Sequence, residues 1–267
     1  MKKIGFIGAG NMARAIIEGL IHAELYKPEE ILVYNHRYQP TLEKLATELK
    51  ITPVKEREEL VQQVEIVLLA VKPHLISEQL SAIKTQLTDD HIIVSIASGV
   101  TIEQMEKVVG SQKKIIRVMP NTPVLVGAGM SSVSVNQQVT KEDAEEIMTI
   151  FSSFGRAELI AESLIPAVVG VSGSSPAYTY MFIEALADGA VSEGLPRSVA
   201  YEMAAQAVFG AAKMLLDTRK HPGELKDMVT SPGGTTIAAV KELEDRQLRS
   251  AVINAVKTAA EKDRQMK

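Results

Sequence analysis

The sequence predicts an α/β protein: a doubly wound, mostly parallel sheet in the N-terminal half, followed by an all-α C-terminal half. Three observations carry this expectation. Short apolar, β-branched runs alternate with amphipathic stretches through the first half of the chain. A glycine turn, Gly8-Ala9-Gly10-Asn11-Met12-Ala13, stands between the first such run and the first amphipathic stretch. From Ser163 onward no strand pattern appears.

The apolar runs fall at residues 4–7, 31–34, 64–71, 92–96 and 115–119, with amphipathic segments such as 13–25 and 38–49 between them. Strands alternating with helices at this spacing read as βαβ units on a sheet buried on both faces. Two further strands are expected at 129–135 and 157–161, with a helix at 141–154 between them. The pattern changes near Glu162, so a boundary is expected after residue 161. Beyond it, Pro176 and Pro196 each stand where a helix can begin, because proline suits the first helical turn. Residues 176–193 place Phe182, Leu186 and Ala190 four apart, and residues 196–216 are rich in alanine. Both segments read apolar on more than one face, the mark of burial on several sides. Small residues at Ala204, Ala205, Gly210, Ala211 and Ala212 permit close helix approach. Tight packing within the chain and an interdigitated homodimer both fit, and we favour the second.

Composition narrows the function classes. With 46% hydrophobic residues, the 267-residue chain can bury a core without covalent staples. It has no cysteine, which excludes disulfides, thiolate nucleophiles and cysteine-ligated metals. A net charge of −4 argues against nucleic acid or an anionic membrane surface as the main partner. Asn11, Arg14 and Glu18 interrupt the opening apolar run too early for a signal peptide, and a cytoplasmic location is expected. His22, His36, His74, His91 and His221 lack metal-ligand spacing, so no metal is expected.

The glycine turn matches the G-x-G-x-x-G/A fingerprint in its required context, after a strand and before a helix. Gly8 permits the tight turn, Gly10 lets a pyrophosphate approach the backbone, and Ala13 keeps the helix close to the strand. The helix N-terminus then offers free N–H groups and a partial positive charge to the phosphates. Residues 1–161 are therefore expected to form a Rossmann-like dinucleotide-binding domain, and residues 162–267 a helical substrate-binding and dimerisation domain. The second strand ends in Tyr34-Asn35-His36-Arg37-Tyr38, with no acid to hold a ribose 2′-hydroxyl. Asn35 can donate a hydrogen bond and Arg37 can pair with a 2′-phosphate through its planar fork. NADPH is the expected cofactor, with NADH a less preferred substitute. Ala70-Val71-Lys72-Pro73, Ala97-Ser98-Gly99 and the turn at residues 119–123 follow later strands, where ligands of doubly wound sheets sit.

The chemistry of the second half is narrower. The β-hydroxyacid dehydrogenase pattern GxxGxGxxxKxxxN would put its lysine at Thr179 and its asparagine at Ile183. The acid–base lysine is missing, which counts against alcohol oxidation. Residues 225–236 read LKDMVTSPGGTT and precede a helix expected at 237–244. Ser231 and the threonines can cap that helix, and Gly233 and Gly234 can expose N–H groups to a carboxylate. On the residues alone, a carboxylate cradle and a plain capping turn both stay open.

The chain resembles the pyrroline-5-carboxylate reductases over essentially its whole length. Six motifs in order carry the resemblance: FIGAGNM at 6–12, AVKP at 70–73, MPNTP at 119–123, GVSGSSPAY at 170–178, EGLPR at 193–197 and HPGELKDMVTSPGGTT at 221–236. The resemblance implies reduction of the cyclic imine 1-pyrroline-5-carboxylate to L-proline by NAD(P)H, closing proline biosynthesis. It also implies dimers with intertwined helical domains, often assembled further into rings. By the same resemblance Ile7, Gly8, Ala9, Gly10, Asn11, Met12, Ala70, Val71, Lys72, Pro73, Ala97 and Ser98 hold the cofactor, joined by Asn35 and Arg37. Val229, Gly233, Gly234, Thr235 and Thr236 meet the substrate, with Thr236 beside the imine nitrogen as the catalytic residue. Two positions depart from the family pattern. Ser175 replaces a glycine and can cap the helix ahead of Pro176. Met228 stands where some members carry asparagine, which puts one substrate contact in doubt. A related imine or keto-acid reductase on this scaffold and a non-catalytic NADP-binding regulatory paralogue are the alternatives. The intact glycine-threonine turn argues against the regulatory one.

Overall fold

The structure, a computed structural model, describes residues 1–265. It divides into two compact units: Met1–Gly173 together with the C-terminal segment from Ala259, and Ser174–Thr258. The boundary expected after residue 161 falls inside the first unit.

The first unit is built on one eight-stranded sheet in the order β3-β2-β1-β4-β5-β6-β7-β8. The strands are β1 (Ile4–Ile7), β2 (Ile31–Tyr34), β3 (Thr52–Val54), β4 (Ile66–Leu69), β5 (Ile92–Ser95), β6 (Lys114–Pro120), β7 (Gly129–Val135) and β8 (Gly155–Leu159). The first six are mutually parallel in the 3-2-1-4-5-6 order of dinucleotide-binding sheets. β7 runs antiparallel to β6, and β8 parallel to β7. Seven of the eight strands coincide with apolar runs seen in the sequence. The exception is β3, where Pro53 breaks the expected pattern. It is the edge strand of the sheet, the place where a missing N–H is tolerated.

Side chains alternate across a strand, so each buried strand feeds two cores. On one face Phe6, Val33, Leu68 and Val94 pack with α1 (Asn11–His22), α2 (Glu43–Leu49) and α6 (Lys141–Ser152). On the other, Ile7, Leu69, Ile93 and Ile115 pack with α3 (Arg57–Gln63), α4 (Ile76–Ile83) and α5 (Ile102–Val109). A short helix, α7 (Ile165–Val168), lies near the end of the unit.

A buried charge cluster pins this layering. Asp143 of α6 is buried, with Lys2 Nζ at 2.9 Å and Lys114 Nζ at 2.8 Å. Burial works against its charge, but bonds from Lys114, Lys2 and Thr140 overcome it and hold the carboxyl at about 2. Its folded pKa lies below its unfolded one, so its stabilisation is complete above the unfolded pKa of about 3.9. Between there and about pH 2 the stabilisation is lost as the carboxylate gains a proton. Asp143→Asn should cost roughly 1–3 kcal/mol at pH 7, less than a fully buried pair, because both lysines reach solvent. The cost should shrink in thermal melts as pH falls from 4 towards 2; a penalty equal at both ends would remove this role.

The second unit contains α8 (Ser175–Ser192), α9 (Arg197–Thr218), α10 (Pro222–Met228), α11 (Thr235–Asp245) and the first part of α12 (Leu248–Gln265). Among the described residues no strand follows β8. Ser174, not Ser175, is the residue before α8, and no side chain caps that helix. Pro196 precedes α9 rather than opening it. α8 and α9 pack along each other, yet only Ala187 is buried in α8 and only Ala200 and Ala204 in α9. Tyr180, Met181, Phe182, Met203 and Phe209 all stand exposed. Packing within one chain therefore fails to supply the burial that these helices' apolar character demands, and an exposed apolar face of this kind marks an interaction surface. No helix among the described residues is long and apolar enough to cross a membrane.

Candidate active site

The glycine turn leaves the end of β1 at the C-terminal edge of the sheet. Gly8 has φ +111°, and a Cβ there would lie 2.5 Å from the Ala70 carbonyl oxygen. Only glycine suits that spot, for conformation and for space. Its N–H donates to the Tyr34 carbonyl at 2.8 Å, and the Ala70 N–H donates to the Ile7 carbonyl at 2.8 Å. The ends of β1, β2 and β4 are thus tied into one rim. Gly10 precedes α1 in an extended conformation, with nothing within 4 Å of where a Cβ would sit and no side chain capping the helix. The first N–H groups of α1 therefore face open space beside a residue without a side chain. A pyrophosphate fits this cradle by charge and by shape.

Not every expected residue can act directly. The Ile7 side chain is wholly buried in the core, so Ile7 shapes the turn from below. The Ala9 N–H donates to Asn35 Oδ1 at 3.3 Å, and Asn35 Nδ2 donates to the Arg37 carbonyl at 2.7 Å. The Asn35 amide thus braces the glycine turn against the loop that carries Arg37, and the second N–H of its Nδ2 is left to donate elsewhere. The Arg37 side chain is exposed.

Beside it a cavity of about 400 Å³ is lined by Asn35, His36, Tyr38, Leu42, Pro53, Val54 and Lys55. Lys55 was not singled out from sequence. It follows Val54, which pairs with Tyr34 in the parallel register, so it stands level with Asn35. The missed signal is a cation one residue past a strand that proline had disguised. Ala70 and Val71 follow β4, exposed Lys72 and Pro73 enter a short 3₁₀ turn, and buried Ala97 with half-buried Ser98 follows β5. All the expected cofactor residues therefore belong to the first unit and stand at the ends of β1, β2, β4 and β5.

The expected substrate residues all belong to the second unit. His221 Nδ1 accepts the Gly223 N–H at 3.1 Å and caps α10, which gives this histidine a structural task. After α10 the chain turns through Gly233 at φ +69°, and the Gly234 N–H donates to the Ser231 carbonyl at 3.0 Å. Gly234, not Ser231 or a threonine, is the residue before α11, and no side chain caps that helix. A Cβ on Gly234 would meet Ser231 Oγ at 2.5 Å, so a side chain there would make the serine rotate away. Thr235 and Thr236 form the first turn of α11, which starts two residues earlier than the helix expected at 237–244. Their N–H groups have no acceptor within the helix, and both residues are exposed in the single chain. Val229 and Met228 are exposed beside them in sequence.

Comparison with known proteins places the chain. Residues 162–266 match the pyrroline-5-carboxylate reductase dimerisation family, and residues 3–99 match the family described as NADP oxidoreductase, coenzyme F420-dependent. A pyrroline-5-carboxylate reductase of Escherichia coli (strain K12) is 51% identical over 268 residues, covering 99% of this chain and 98% of its own. The chain belongs to the pyrroline-5-carboxylate reductase family. Its fold agrees: a pyrroline-5-carboxylate reductase from Coxiella burnetii superposes with a TM-score of 0.94 at 35% identity, covering 99% of this chain and 98% of that one. A Plasmodium falciparum pyrroline carboxylate reductase solved with NADP bound gives 0.87 at 34% identity over the same shares. The first unit thus carries an anion cradle with a dinucleotide fingerprint, and the second an uncapped helix that opens with two threonines.

Proposed function

We propose that the protein reduces 1-pyrroline-5-carboxylate to L-proline with NADPH, the last step of proline biosynthesis. The observation that carries this reading is the uncapped start of α11 behind an intact glycine-glycine-threonine-threonine turn, in a chain whose full length belongs to this family. Residues 1–161 hold the cofactor in this reading, and residues 162–267 hold the substrate and a second copy of the chain. The exposed faces of α8 and α9 support a homodimer, with rings as a further level of assembly. The expected compartment is the cytoplasm.

NADPH supplies a hydride. The protein's task is to hold the acceptor. The substrate bears its carboxylate on the carbon next to the ring nitrogen, so one short stretch of chain can meet both groups. The N–H groups of Thr235 and Thr236, at the positive end of α11, take the carboxylate. The Gly234 N–H closes the turn instead, and Gly234 contributes by having no side chain. The Thr236 hydroxyl bonds to the ring nitrogen and orients the imine with its proton. A protonated imine is already electrophilic, so no strong base is required. Holding two reactants in register can lower the barrier by about 7–11 kcal/mol. At the other end, Gly8 and Gly10 admit the pyrophosphate, and Arg37 takes the 2′-phosphate with Lys55 close by.

NADPH oxidation, followed with 1-pyrroline-5-carboxylate and with a panel of cyclic imines and 3-keto acids, tests the reading. Preference for 1-pyrroline-5-carboxylate supports it, turnover of another imine or a keto acid replaces the substrate, and binding without turnover would make the protein a regulator. Arg37→Ala should raise the KM for NADPH by about tenfold, the worth of one exposed charge-assisted bond, and leave that for NADH unchanged. Equal KM values in the variant and the parent would take this role from Arg37. Sedimentation at micromolar concentration should give a dimer or larger, and a monomer would remove the assembly.

A further inference from the structure

Arg117 is the largest wholly buried side chain among the described residues, 1% exposed on β6. A guanidinium does not give up its charge, so it must be answered where it lies. Its Nη1 donates to Glu162 Oε1 at 2.9 Å. The same oxygen accepts the N–H of Ile102 at 2.9 Å. Nη2 finds no partner, and neither does Ser132 Oγ, which the register puts on the same face of the sheet. One carboxylate therefore answers the buried cation and opens α5 together. Glu162 is half-buried, but a wholly buried cation bonded this sparsely is a poor way to gain stability, since an apolar side chain of similar size commonly does as well or better. The pair calls for another reason.

Its position supplies one. Ile102 is the first residue of α5, and Thr101 before it forms a reciprocal cap with Gln104. Between β5 and α5 runs the loop of Ala97, Ser98 and Gly99, with Gly99 at φ +78°. Ser95 is level with Arg117 in the parallel register, and its Oγ accepts the Ala97 N–H at 3.3 Å. The loop is thus fastened at its start by Ser95 and at its end by Glu162, with Arg117 fixing Glu162 from the sheet below. Glu162 is also where the match to the dimerisation family begins.

We propose that Arg117 is a positioning residue: through Glu162 it sets where α5 starts and so holds the Ala97–Ser98 loop in the shape that receives the cofactor. The inference rests on the dinucleotide reading of that edge. It makes an acid at the head of the helical half part of the cofactor site without touching the cofactor.

The test compares Arg117→Met, Glu162→Ala and Glu162→Gln with the parent, by NADPH binding, thermal melting and amide hydrogen exchange. Arg117→Met should weaken NADPH binding by about tenfold, the worth of one charged hydrogen bond, with little change in melting temperature. Exchange of the Ala97–Ile102 amides should quicken while the β4 amides stay protected. Glu162→Gln keeps an oxygen for Ile102 and should bind NADPH within about threefold of the parent, whereas Glu162→Ala should weaken binding as the arginine variant does and also lower the melting temperature, because it leaves the buried cation unanswered. If Arg117→Met fails to fold, the two Glu162 variants decide the matter by the same local exchange. Unchanged affinity, or exchange that quickens everywhere in proportion to a fallen melting temperature, would overturn the proposal and leave an ordinary buried ion pair. A parent protein that binds no dinucleotide would overturn the cofactor reading as well, an outcome distinct from a parent that binds and variants that match it.

Discussion

Thr236→Ala is expected to lower the turnover number about a hundredfold or more while leaving NADPH affinity unchanged. The magnitude is that of removing one preorganised hydrogen bond at a reacting centre, about 2.7–4 kcal/mol. The selectivity follows from placement, because Thr236 lies on the second unit and every expected cofactor residue lies on the first. Its hydroxyl is also free of any structural task. It makes no cap, since Gly234 precedes α11, and the residue is exposed in the single chain. The fold should therefore survive, with the melting temperature little changed. Thr236→Ser keeps the hydroxyl and should recover most of the loss, whereas Thr235→Ala keeps the Thr236 hydroxyl and both N–H groups and should leave turnover and the KM for the imine little changed. Steady-state kinetics with both substrates separates these outcomes. A loss smaller than fivefold in Thr236→Ala would make Thr236 a spectator and pass the orientation of the imine to the backbone of the turn.

What could be read from sequence follows from how local each device is. The fingerprint from Gly8 to Ala13 was legible because strand, turn and helix start are consecutive, and the turn's requirement for glycine shows in the sequence itself. The roles of Asn35 and Arg117 were not, because their partners lie elsewhere in the chain. Asn35 read as a cofactor donor, and its bracing bonds from the Ala9 N–H and to the Arg37 carbonyl show only in the fold. Arg117 sat in an apolar run and passed as part of a strand, although a lone cation in IIRVMP was a signal that something must answer it. β3 was hidden by Pro53 because the edge position that excuses a proline is a property of the sheet. The helical half was legible in part. Its all-round apolar character announced burial, but nothing within the chain says what provides it, and the structure leaves α8 and α9 bare. Capping was misjudged at α8 and α11 for one reason: a serine or threonine near a helix start invites a capping assignment, but a shift of the boundary by one residue at α8 and two at α11 moves it inside the helix.

The two glycines of the fingerprint should separate fold from binding. Gly8→Ala meets two penalties. A non-glycine residue at φ +111° costs roughly 1–3 kcal/mol. A Cβ 2.5 Å from the Ala70 carbonyl forces the ends of β1 and β4 apart, and such overpacking costs about 1–3 kcal/mol more. The sum, roughly 2–6 kcal/mol, is a large share of a typical stability of 5–15 kcal/mol. The melting temperature should fall sharply, and NADPH affinity should fall about a hundredfold or more, because a 2.7 kcal/mol distortion of both rims already suffices for that. Gly10→Ala differs in each respect. Its φ is −74° and no atom lies within 4 Å of the new methyl, so the melting temperature should hold or rise slightly. The methyl would stand where the pyrophosphate must approach, and NADPH affinity should fall with the fold intact. Calorimetric melts beside NADPH titrations of the two variants test the pair. Should Gly10→Ala bind NADPH as the parent does, the phosphates do not pass over that residue, and the cradle at the head of α1 loses the function assigned to it.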